Sequence, residues 1–502
     1  MPRKKARKIV LIMTDTQRTD YLGCYGNEHM KTPNLDSLAE KGIRFDKAYC
    51  AQPVCGPTRA AIMTGEYPHS NGSWANSMPL NKLSRTLGER MQKQGFHTAH
   101  IGKWHLDGGD YFGFAECPAG WDPEYWYDMR CYLEELSPED RKRSRKQKTI
   151  YDDDFGEEMT YGHRCSNRAI DFLDKHNDED FFLVVSYDEP HHPFVCPQEY
   201  VEMYKDYKFP LSENVCDSLE DKPEHQKAWA GNSLNKDQSK LKEEGIDISA
   251  RLGCNSFVDY EIGRVLDAID ETASDALVIY ISDHGEALQN HRIDGKGAAM
   301  YDEITRVPYI IKWPGVVPEN SVCKYPVSHI DLAPTILEAA GIEIPNPIQG
   351  NSLLKTLEDP LIKSQTEIFI EFNRYEIDHD GFGGFQPIRC VLDGRYKLVI
   401  NLLTSDELYD LEKDPLEMNN LINTKEYKKI RNDLHDRLLN WMNESRDPFR
   451  GYYWERRPWR EDASEATWAY TGMTRQRKPD VNEKRQLDYH TGLEMEKATR
   501  KK

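Results

Sequence analysis

The sequence predicts an α/β fold in which helices sandwich a large, mostly parallel sheet, followed by a smaller C-terminal α+β subdomain. Apolar runs of strand length alternate with helix-like segments over most of the 502 residues. The runs are apolar at nearly every position, which is typical of strands buried on both faces of a parallel sheet. Beyond residue 365 the strands are closely spaced, as in an antiparallel sheet. We therefore expect a main domain over residues 1–365 and a subdomain over residues 366–502 with an extended tail.

The elements of the main domain follow from these apolar runs and from helix caps. The first strand is KIVLIM at residues 8–13. Thr32 is a suitable N-cap and Pro33 a suitable first residue for a helix over residues 32–41, which Gly42 ends. The later elements are a helix over 84–95, strands over 97–102 and 181–187, a helix over 251–272, and strands over 276–282 and 307–312.

The C-terminal subdomain is predicted to combine an antiparallel sheet with one amphipathic helix. Its strands cover residues 368–372, 388–392 and 396–401, Asp393-Gly394 forms a hairpin turn, and the helix covers residues 427–442. The tail beyond residue 447 is rich in Arg, Trp and Tyr, and we expect it either to wrap the surface or to join a homo-oligomer contact. Charged insertions at residues 134–154 and 217–244 are expected to be solvated segments, with a lid as the alternative.

Composition excludes several classes of protein. The formal net charge of -19 argues against a nucleic-acid partner, because such binders usually present a basic face. The sequence contains neither an apolar stretch of transmembrane length nor a signal peptide, so we expect a soluble, cytoplasmic protein without a membrane partner. The eleven cysteines include no C-x-x-C pair, which favours reduced thiols over a structural zinc site.

Polar residues follow the ends of four predicted strands. They are Asp15, Lys103 with His105, residues 188–192, and Asp283 with His284. In open α/β sheets, sites form outside the carboxyl ends of the strands. Two carboxylates and an imidazole that face one point suit a hard divalent cation. A single Asp after a strand is more often a cap or a turn residue, but that reading becomes improbable for three such residues together.

Cys55 begins the stretch CGPTR, and Pro57 suits the first turn of a helix that starts there. Cys55 would then lie at a helix N-terminus, where free N–H groups favour an anion, and Arg59 could reach the same point. A buried structural cysteine is the commoner fate of such a residue. A thiolate nucleophile of low pKa is a second functional reading.

The pattern C-x-P-x-R before a helix resembles the signature of the formylglycine-dependent (type I) sulfatases, of the alkaline-phosphatase-like superfamily. Four other segments resemble that family in the same order along the chain, over roughly residues 8–440. They are IVLIMTDTQRTD with LGCYGN, GKWHL, EPHHPF, and SDHGE followed by GKG and RVPYIIKWPG.

The resemblance implies a sulfatase with a divalent metal and a modified cysteine. A separate formylglycine-generating enzyme would oxidise Cys55 to formylglycine. The metal, Ca²⁺ or else Mg²⁺ or Mn²⁺, would be held by Asp15, Asp283 and His284, with residues 16 and 55 as further ligands. The fold implied is that of a catalytic α/β sulfatase domain with its C-terminal subdomain.

The resemblance also implies roles for five further residues. Arg59 would favour the ionised form of the nucleophile, and Lys103 would bind the sulfuryl oxygens. His105 would contact the formylglycine hydroxyl. His191, with Lys296, would protonate or stabilise the departing alkoxide.

Thr16 departs from the family pattern, in which many members carry a second acid at this position. A neutral hydroxyl lowers the formal charge of the metal site and leaves coordination by residue 16 open. Related hydrolases of phosphonate monoesters and phosphodiesters also lack this acid, so such a hydrolase is an alternative function. A non-catalytic binding protein is another, if Cys55 is not converted.

The organic part of the substrate is expected to be a carbohydrate, because aromatic platforms and carboxylates near the motif loops suit sugars. The candidate contacts are Trp74, Asn76, Trp104, Trp121, Trp126 and Asp188. Most tryptophans in such positions are packing residues, which is the alternative for this set.

Overall fold

A computed structural model describes residues 4–146, 156–377, 384–463 and 487–499. The strands are β1 (Lys8–Thr14), β2 (Ile43–Phe45), β3 (Ala48–Tyr49), β4 (His97–Gly102), β5 (Trp126–Tyr127), β6 (Phe181–Ser186), β7 (Leu277–Ser282), β8 (Arg306–Val307), β9 (Tyr309–Lys312), β10 (Ser321–Cys323), β11 (Val327–Ser328), β12 (Ile368–Phe372), β13 (Ile388–Leu392), β14 (Tyr396–Asn401) and β15 (Glu407–Asp410). The helices are α1 (Pro33–Glu40), α2 (Cys55–Thr64), α3 (Pro68–Asn71), α4 (Leu87–Gln92), α5 (Met129–Glu135), α6 (Pro138–Arg143), α7 (Tyr161–Lys175), α8 (Gln198–Glu202), α9 (Glu224–Ala230), α10 (Ser239–Glu244), α11 (Ser249–Thr272), α12 (Asp302–Thr305), α13 (Leu332–Ala340), α14 (Leu354–Glu358), α15 (Lys428–Glu444) and α16 (Tyr452–Glu455).

The central sheet has eight strands in the order β10-β2-β9-β7-β1-β6-β4-β5. Every neighbouring pair is parallel except the two pairs that include β9, so the predicted mostly parallel sheet is confirmed. A small sheet, β11-β3-β8, lies beside it, and the four strands β12 to β15 form the predicted antiparallel C-terminal sheet.

Alternate residues of β1 face two separate apolar layers, which explains why the strand is apolar throughout. Ile9, Leu11 and Met13 pack with helices that include α2, α4 and α13. Val10 and Ile12 pack on the opposite face with α1, α7 and α11. Burial on both faces removes the usual polar side of a strand, so the sequence shows a continuous apolar run.

Two predicted elements differ from the structure at their ends. The helix predicted over residues 84–95 begins only at Leu87, because Thr86 and Glu89 form a capping box at its start. The strand predicted over residues 307–312 is interrupted at Pro308, which lacks the N–H that a continuous ladder needs. Within the described residues, no helix combines the length and the apolar character that crossing a membrane requires.

The charged insertion at 217–244 was expected to be solvated, and this prediction is wrong for its first part. Asp217, Lys222 and Gln226 are buried. Lys222 donates to Tyr409 of β15 at 2.9 Å, so the segment packs against the C-terminal sheet. Buried polar groups need hydrogen-bond partners, and these side chains are bonded to other buried groups of the protein. The boundary between domains at residue 365 stays a prediction.

The described residues 447–463 of the tail pack on the C-terminal sheet and α15, which agrees with one of its two predicted arrangements. Trp454 is buried in the apolar cluster that includes Leu434 and Leu438 of α15. Arg457 donates to both carboxylate oxygens of Asp406, at 2.7 and 2.9 Å. The Arg and Trp residues that distinguish this segment therefore act as packing and ion-pair groups.

The C-terminal sheet is joined to the main sheet by a buried ion pair. Lys397 of β14 contacts Asp302 Oδ1 at 2.7 Å and donates to the carbonyl oxygen of Met300 at 2.8 Å. Glu417 Oε1 lies 2.8 Å from the same ammonium group. The Lys397 side chain has no solvent exposure, so its charge depends on these partners.

We predict that Lys397→Met will destabilise the fold by about 3–5 kcal/mol, because it removes the cation that the buried Glu417 and the half-buried Asp302 share. Urea denaturation followed by fluorescence measures this loss. Lys413→Met is the matched control, since Lys413 is 66% exposed and 3.9 Å from its partner Asp410, and we expect no measurable change for it. Equal stability of the two variants would contradict a structural role for the Lys397 pair.

Candidate active site

The carboxyl ends of four adjacent strands bring the predicted polar residues together. Asp15 follows β1, Lys103 follows β4, Asp188 follows β6 and Asp283 follows β7. The strands are parallel and neighbouring in the order β7-β1-β6-β4, so their ends meet at one edge. The structure therefore brings these predicted clusters together at one edge of the sheet, where sites form in open α/β folds.

A close approach of two strands places Lys103 in this site. Gly102 has φ of 119°, and a Cβ there would lie 1.9 Å from the Ser186 carbonyl oxygen. Only glycine tolerates this conformation and contact. The backbone N–H of Lys103 then donates to the same carbonyl at 2.7 Å, which fixes where its side chain leaves the strand.

Cys55 starts α2 and is surrounded by charged side chains. Its Sγ lies 2.9 Å from Lys296 Nζ, 3.2 Å from His284 Nε2 and 3.9 Å from Asp15 Oδ1. Burial and Asp15 oppose ionisation, but the positive Lys296, Lys103 and His284 outweigh them and hold the pKa of the thiol well below its usual range. The environment at position 55 therefore stabilises an anion.

Backbone N–H groups of α2 contribute less to this environment than the sequence suggested. The N–H of Gly56 donates to Asn76 Oδ1 at 2.9 Å, and that of Thr58 donates to the Val54 carbonyl at 3.1 Å. Pro57 has no N–H to offer. The helix N-terminus is thus largely satisfied internally, and side-chain cations provide the positive charge around residue 55.

Arg59 binds both carboxylates of the site from the next turn of α2. Its Nε donates to Asp283 Oδ2 at 3.0 Å, and an Nη donates to Asp15 Oδ2 at 3.2 Å. The other Nη donates to Ser186 Oγ at 2.7 Å and to the Lys103 carbonyl at 2.9 Å. Each nitrogen of the Arg59 guanidinium donates in these contacts, so Arg59 links Asp15 and Asp283 to the ends of β4 and β6.

The remaining oxygens and one imidazole nitrogen fit a divalent cation. Asp15, Cys55, Asp283 and His284 offer ligand atoms that all lie within 4.8 Å of one another. His284 Nδ1 lies 2.9 Å from the Gly285 carbonyl oxygen and donates to it, which leaves the Nε2 lone pair facing the site. Burial and the neighbouring Asp15 raise the pKa of Asp283 to about 6, a repulsion that a bound cation would relieve.

Thr16 lies in the site but in a strained conformation. Its φ of 59° is unusual for a β-branched residue. The hydroxyl donates to Asp15 Oδ1 at 2.7 Å and accepts from Lys296 Nζ at 3.4 Å, while the backbone N–H donates to Asp283 Oδ1 at 3.0 Å. The hydroxyl is therefore beside the predicted ligands, without supplying a second carboxylate.

Lys103 and Asp188 form a buried pair that the sequence did not anticipate. Lys103 Nζ lies 2.8 Å from Asp15 Oδ2 and 3.0 Å from Asp188 Oδ1. Tyr111 donates its hydroxyl to the same Asp188 oxygen and lies 3.1 Å from His191 Nδ1. Asp188 was predicted to contact the sugar, but its carboxylate instead orients Lys103. Tyr111 was missed because it lies in a glycine-rich loop with no motif spacing.

The two predicted histidines also face the site. His191 Nε2 is 4.0 Å from Asp15 Oδ1, and Nδ1 lies 2.8 Å from the His192 carbonyl oxygen. Burial lowers the pKa of His191 to about 3, so the ring is neutral here. His105 has φ of 62°, and its Nδ1 is buried without a partner among the described residues. Its ring packs edge-on against Tyr111, with the ring centres 5.7 Å apart.

Trp104, Trp121 and Trp126 are packing residues, which is the alternative that the sequence left open for these candidate sugar contacts. All three are buried and surround the imidazole of His100, with ring centres 4.9 to 5.2 Å from it. They belong to one apolar layer of the main sheet. Asn76 is also committed to the protein, because its side chain accepts from Gly56. Trp74 is half-buried, with its ring centre 6.0 Å from that of Phe449.

The segment that carries Lys296 is anchored by distant parts of the chain. His225 Nε2 lies 2.8 Å from the Ala298 carbonyl oxygen, and Lys397 holds Met300 as described above. The backbone N–H of Asp302 donates to Glu417 Oε2 at 2.7 Å. The C-terminal sheet thus helps to place Lys296 against residue 55.

Comparison with known families agrees with this geometry. Residues 7–342 match the sulfatase family model, and residues 291–444 match that of the C-terminal region of N-sulphoglucosamine sulphohydrolase. The chain belongs to the sulfatase family. It is a sulfuric ester hydrolase of the alkaline-phosphatase-like superfamily, which confirms the resemblance that the five sequence segments indicated.

Two curated sulfatases match most of the chain. The uncharacterized sulfatase YidJ of Escherichia coli (strain K12) is 45% identical over 497 residues, covering 97% of each protein. The N-acetylglucosamine-6-O-sulfatase of Bacteroides thetaiotaomicron is 26% identical over 521 residues, covering 89% of this chain and 88% of that protein.

Solved structures share the fold of this sulfatase. BT4656, in complex with its substrate D-glucosamine-2-N,6-O-disulfate, has a TM-score of 0.70 and 24% identity, covering 89% of this chain and 99% of its own. The phosphonate monoester hydrolase of Silicibacter pomeroyi has a TM-score of 0.70 and 23% identity, covering 87% and 95%. At these identities the likeness shows the fold alone.

We predict that Ca²⁺, Mg²⁺ or Mn²⁺ will raise the melting temperature of the metal-depleted sulfatase more at pH 7.5 than at pH 5. The metal needs the ionised Asp283, whose pKa of about 6 in the metal-free site lies above its unfolded value of about 3.9. Ionising this carboxyl costs stability as pH rises through that interval, and the cation offsets the cost.

Differential scanning calorimetry of protein treated with EDTA and then supplied with each metal measures this effect. Asp283→Asn should lose the metal-induced rise at both pH values, whereas the exposed Asp267→Asn should retain it. An equal rise at both pH values in the wild type would contradict coordination by Asp283.

Proposed function

We propose that this sulfatase hydrolyses sulfate esters of a carbohydrate, with Cys55 converted to formylglycine by a formylglycine-generating enzyme. The observation that carries the proposal is the convergence of Lys296, His284 and Asp15 on the side chain at position 55. Cations and potential metal ligands are thereby placed around the atom where a nucleophile would have to be activated.

Residue 55 carries the nucleophile in this proposal. Hydrated formylglycine would supply one hydroxyl oxygen for attack on sulfur. Loss of the proton from the second hydroxyl would then re-form the aldehyde and expel the sulfate. The positive charges around residue 55 favour the ionised form of the attacking hydroxyl, as they favour the thiolate of the unmodified residue. His105, whose Nδ1 has no partner among the described residues, would take the proton from the second hydroxyl.

The metal would be held by Asp15, Asp283 and His284, with the hydroxyl of Thr16 and the side chain of residue 55 beside it. A divalent cation in this position supplies positive charge to the nucleophile and to the sulfuryl oxygens. Arg59 acts by holding the two carboxylates in place, because each of its three guanidinium nitrogens donates within the site.

Lys103 and Lys296 would stabilise the sulfuryl oxygens in the transition state. Neighbouring acidic groups keep both side chains charged, since Asp15 raises the pKa of Lys103, and Cys55 and Asp15 raise that of Lys296, against the opposing effect of burial. Both ammonium groups are buried. Because little water lies between them and a bound sulfuryl group, they would interact with it strongly.

His191 is proposed to assist the departing alkoxide. Its ring is neutral, with Nδ1 donating to the His192 carbonyl and Nε2 facing Asp15. The negative charge of a bound substrate would raise its pKa, because part of the lowering comes from Lys103 and Lys296. Lys296 remains charged and can donate a hydrogen bond to the same oxygen.

The carbohydrate as substrate rests on the names of relatives. The Bacteroides thetaiotaomicron relative acts on N-acetylglucosamine-6-O-sulfate, according to its name. The C-terminal region also matches the model named for a sulphohydrolase of N-sulphoglucosamine. Both are sulfated amino sugars, so a sulfated saccharide is the substrate class that we propose.

A phosphonate monoester or phosphodiester is the second candidate, and Thr16 favours it. The missing second carboxylate lowers the negative charge around the metal, and a phosphonate monoester hydrolase shares the fold. Both substrates present a singly charged tetrahedral group of similar size. Whether the site prefers a sulfate ester or a phosphonate ester therefore depends on its electrostatic potential rather than on its shape.

We expect the wild type to hydrolyse 4-nitrophenyl sulfate with a higher kcat/KM than 4-nitrophenyl phenylphosphonate. Both reactions release 4-nitrophenol, so absorbance compares the two rates in one assay. A larger kcat/KM for the phosphonate would replace the sulfatase proposal by the second candidate.

We predict that Cys55→Ala will lower kcat on 4-nitrophenyl sulfate by roughly 10³-fold or more, because it removes the residue that carries the nucleophile. Cys117→Ala, a half-buried cysteine of the loop that follows β4, should retain activity. Circular dichroism establishes that both variants fold.

Intact-mass measurement shows whether residue 55 is modified in the active protein. Coexpression with the formylglycine-generating enzyme should lower the mass, since an aldehyde replaces the thiol. An unchanged mass in every host, together with binding of sulfated sugars, would instead support a non-catalytic binding protein.

A further inference from the structure

Two histidines and one glutamate converge at the edge of the main sheet that is opposite the reaction centre. His97 is the first residue of β4, whereas Lys103 follows the last residue of the same strand. A strand rises about 3.3 Å per residue, so this edge lies roughly 20 Å from Lys103. His176 is the C-cap of α7, and Glu179 lies in the turn that leads to β6. The proposed reaction uses none of the three residues, which we call the edge cluster.

One carboxylate oxygen forms the centre of the edge cluster. Glu179 Oε2 lies 3.2 Å from His97 Nε2 and 2.5 Å from His176 Nδ1. The two imidazole rings are tilted by 33° to each other, with their centres 4.8 Å apart. Each side chain offers one ligand atom, and these three atoms lie within 4.8 Å of one another. The three side chains therefore point to a common position.

Backbone hydrogen bonds fix the positions of all three residues of the edge cluster. The N–H of His97 donates to the Asp180 carbonyl at 2.9 Å, which joins the starts of β4 and β6. The N–H of Glu179 donates to the His176 carbonyl at 3.1 Å, and the N–H of His176 donates to the Phe172 carbonyl at 3.0 Å. A fixed backbone reduces the conformational entropy that is lost when a ligand binds. The edge cluster is therefore preorganised, although its members come from three segments.

Aromatic packing fixes the orientation of the His176 ring. Its centre lies 4.7 Å from that of Phe172 and 5.1 Å from that of Tyr125. The His176 side chain is only 15% exposed, and its Nε2 is buried without a hydrogen-bond partner among the residues that the structure describes. Packing that locks a side chain in one rotamer is what a binding site requires of its ligands. The Nδ1 edge of His176 is thus held towards Glu179.

Two imidazole nitrogens and one carboxylate oxygen are a set of ligands that suits Zn²⁺, whereas Ca²⁺ and Mg²⁺ prefer oxygen alone. In a tetrahedral zinc site each ligand atom is about 2.0–2.1 Å from the metal, so the ligand atoms are about 3.3 Å apart. The separation of 3.2 Å between Glu179 and His97 matches this value, and that of 2.5 Å between Glu179 and His176 has to widen. The His97 and Glu179 side chains are 44% and 47% exposed, which leaves access for the ion and for water as a further ligand.

The charges around the edge cluster favour a cation. Residues 174–180 include four acidic side chains and one lysine. That lysine, Lys175, pairs with Asp171 at 2.8 Å, and Arg7 pairs with Asp180 at 2.9 Å. These basic groups are thus engaged by other carboxylates, and the glutamate of the edge cluster faces the two imidazoles. A negative local potential raises the concentration of cations near the site.

We propose that the edge cluster binds a Zn²⁺ ion, with water completing its coordination. The ion would link the start of β4 to the end of α7 and to the segment before β6. Because it binds a site that exists only in the folded chain, it would stabilise the fold rather than take part in hydrolysis. The edge cluster shares no residue with the predicted metal position at Asp15, Asp283 and His284. Its occupation by zinc is therefore independent of the proposed function.

The zinc content of the full-length protein tests this proposal. Wild type that has been freed of metal with a chelator is dialysed against micromolar Zn²⁺ in the presence of millimolar Ca²⁺, and bound zinc is measured by mass spectrometry of the elements. His97→Ala and Glu179→Gln should each bind one zinc ion per chain fewer than the wild type, because each removes a ligand. Both substitutions change exposed side chains, so we expect the variants to fold, which circular dichroism establishes.

His29→Ala is the matched control, because His29 is an exposed histidine outside the edge cluster. It should bind as much zinc as the wild type. Any zinc that enters the reaction centre is common to all four proteins, so it cancels in the comparison. The difference in zinc content therefore reports on the edge cluster alone.

Thermal unfolding gives a second measure of the bound ion. At a zinc concentration about 100 times the dissociation constant, the rise in melting temperature of the wild type should exceed that of His97→Ala by roughly 2–3 °C. Glu179→Gln should show the same smaller rise as His97→Ala, and His29→Ala should show the full rise. Hydrolysis of 4-nitrophenyl sulfate by His97→Ala should equal that of the wild type, since the edge cluster lies far from residue 55.

Two results would overturn the zinc site. Equal zinc content of the wild type, His97→Ala and Glu179→Gln would show that the edge cluster is a hydrogen-bonded group without a metal. An equal loss of zinc in His29→Ala would show that the ion binds surface histidines in general. Failure of the wild type to hydrolyse 4-nitrophenyl sulfate would contradict the proposed function instead, and it would leave the zinc content of the four proteins as a valid test.

Discussion

One buried guanidinium makes this reaction centre possible. Asp15 and Asp283 come from the ends of adjacent parallel strands, and two carboxylates so close together repel each other when they are buried. Arg59 binds an oxygen of each, at 3.2 and 3.0 Å, and leaves the other oxygens free to face His284. Because Arg59 and residue 55 lie one turn apart on α2, the same contacts fix position 55 relative to Asp15 and Asp283.

The balance of charge in the site explains how an acidic protein can act on an anion. Asp15, Asp283 and Asp188 face Arg59, Lys103 and Lys296, so the charges of these six buried side chains balance, and a divalent metal would add positive charge. Low local dielectric strengthens these interactions, whereas the net charge of -19 is spread over a solvated surface. The substrate therefore responds to the few buried cations near residue 55, and the global charge mainly affects its approach.

The sequence predicted the features that depend on short stretches of the chain, namely the strands, the residues that follow them and the motif around Cys55. Strand ends carried Asp15, Lys103 and Asp283 to one edge because parallel strands must align their carboxyl ends, and the motif around Cys55 identified the family. Contacts between segments far apart could not be read in this way. The link from Tyr111 to Asp188 joins residues 77 positions apart, and no periodicity announces it. The sequence could not decide between a sugar contact and a packing role for the tryptophans near the motif loops, because an aromatic residue has the same sequence pattern in a pocket and in a core.

Placement of Lys296 shows why the C-terminal sheet belongs to the active site, although no residue of its strands faces residue 55. Lys296 lies in a short segment between two glycines, which by itself has little to hold it. Lys397 and Glu417 bind the backbone and side chain of residues that follow within one short stretch, Met300 and Asp302. The buried Lys397 thus holds in place the segment that carries the buried Lys296. The C-terminal sheet therefore contributes to the rigid position of one of the two lysines of the site.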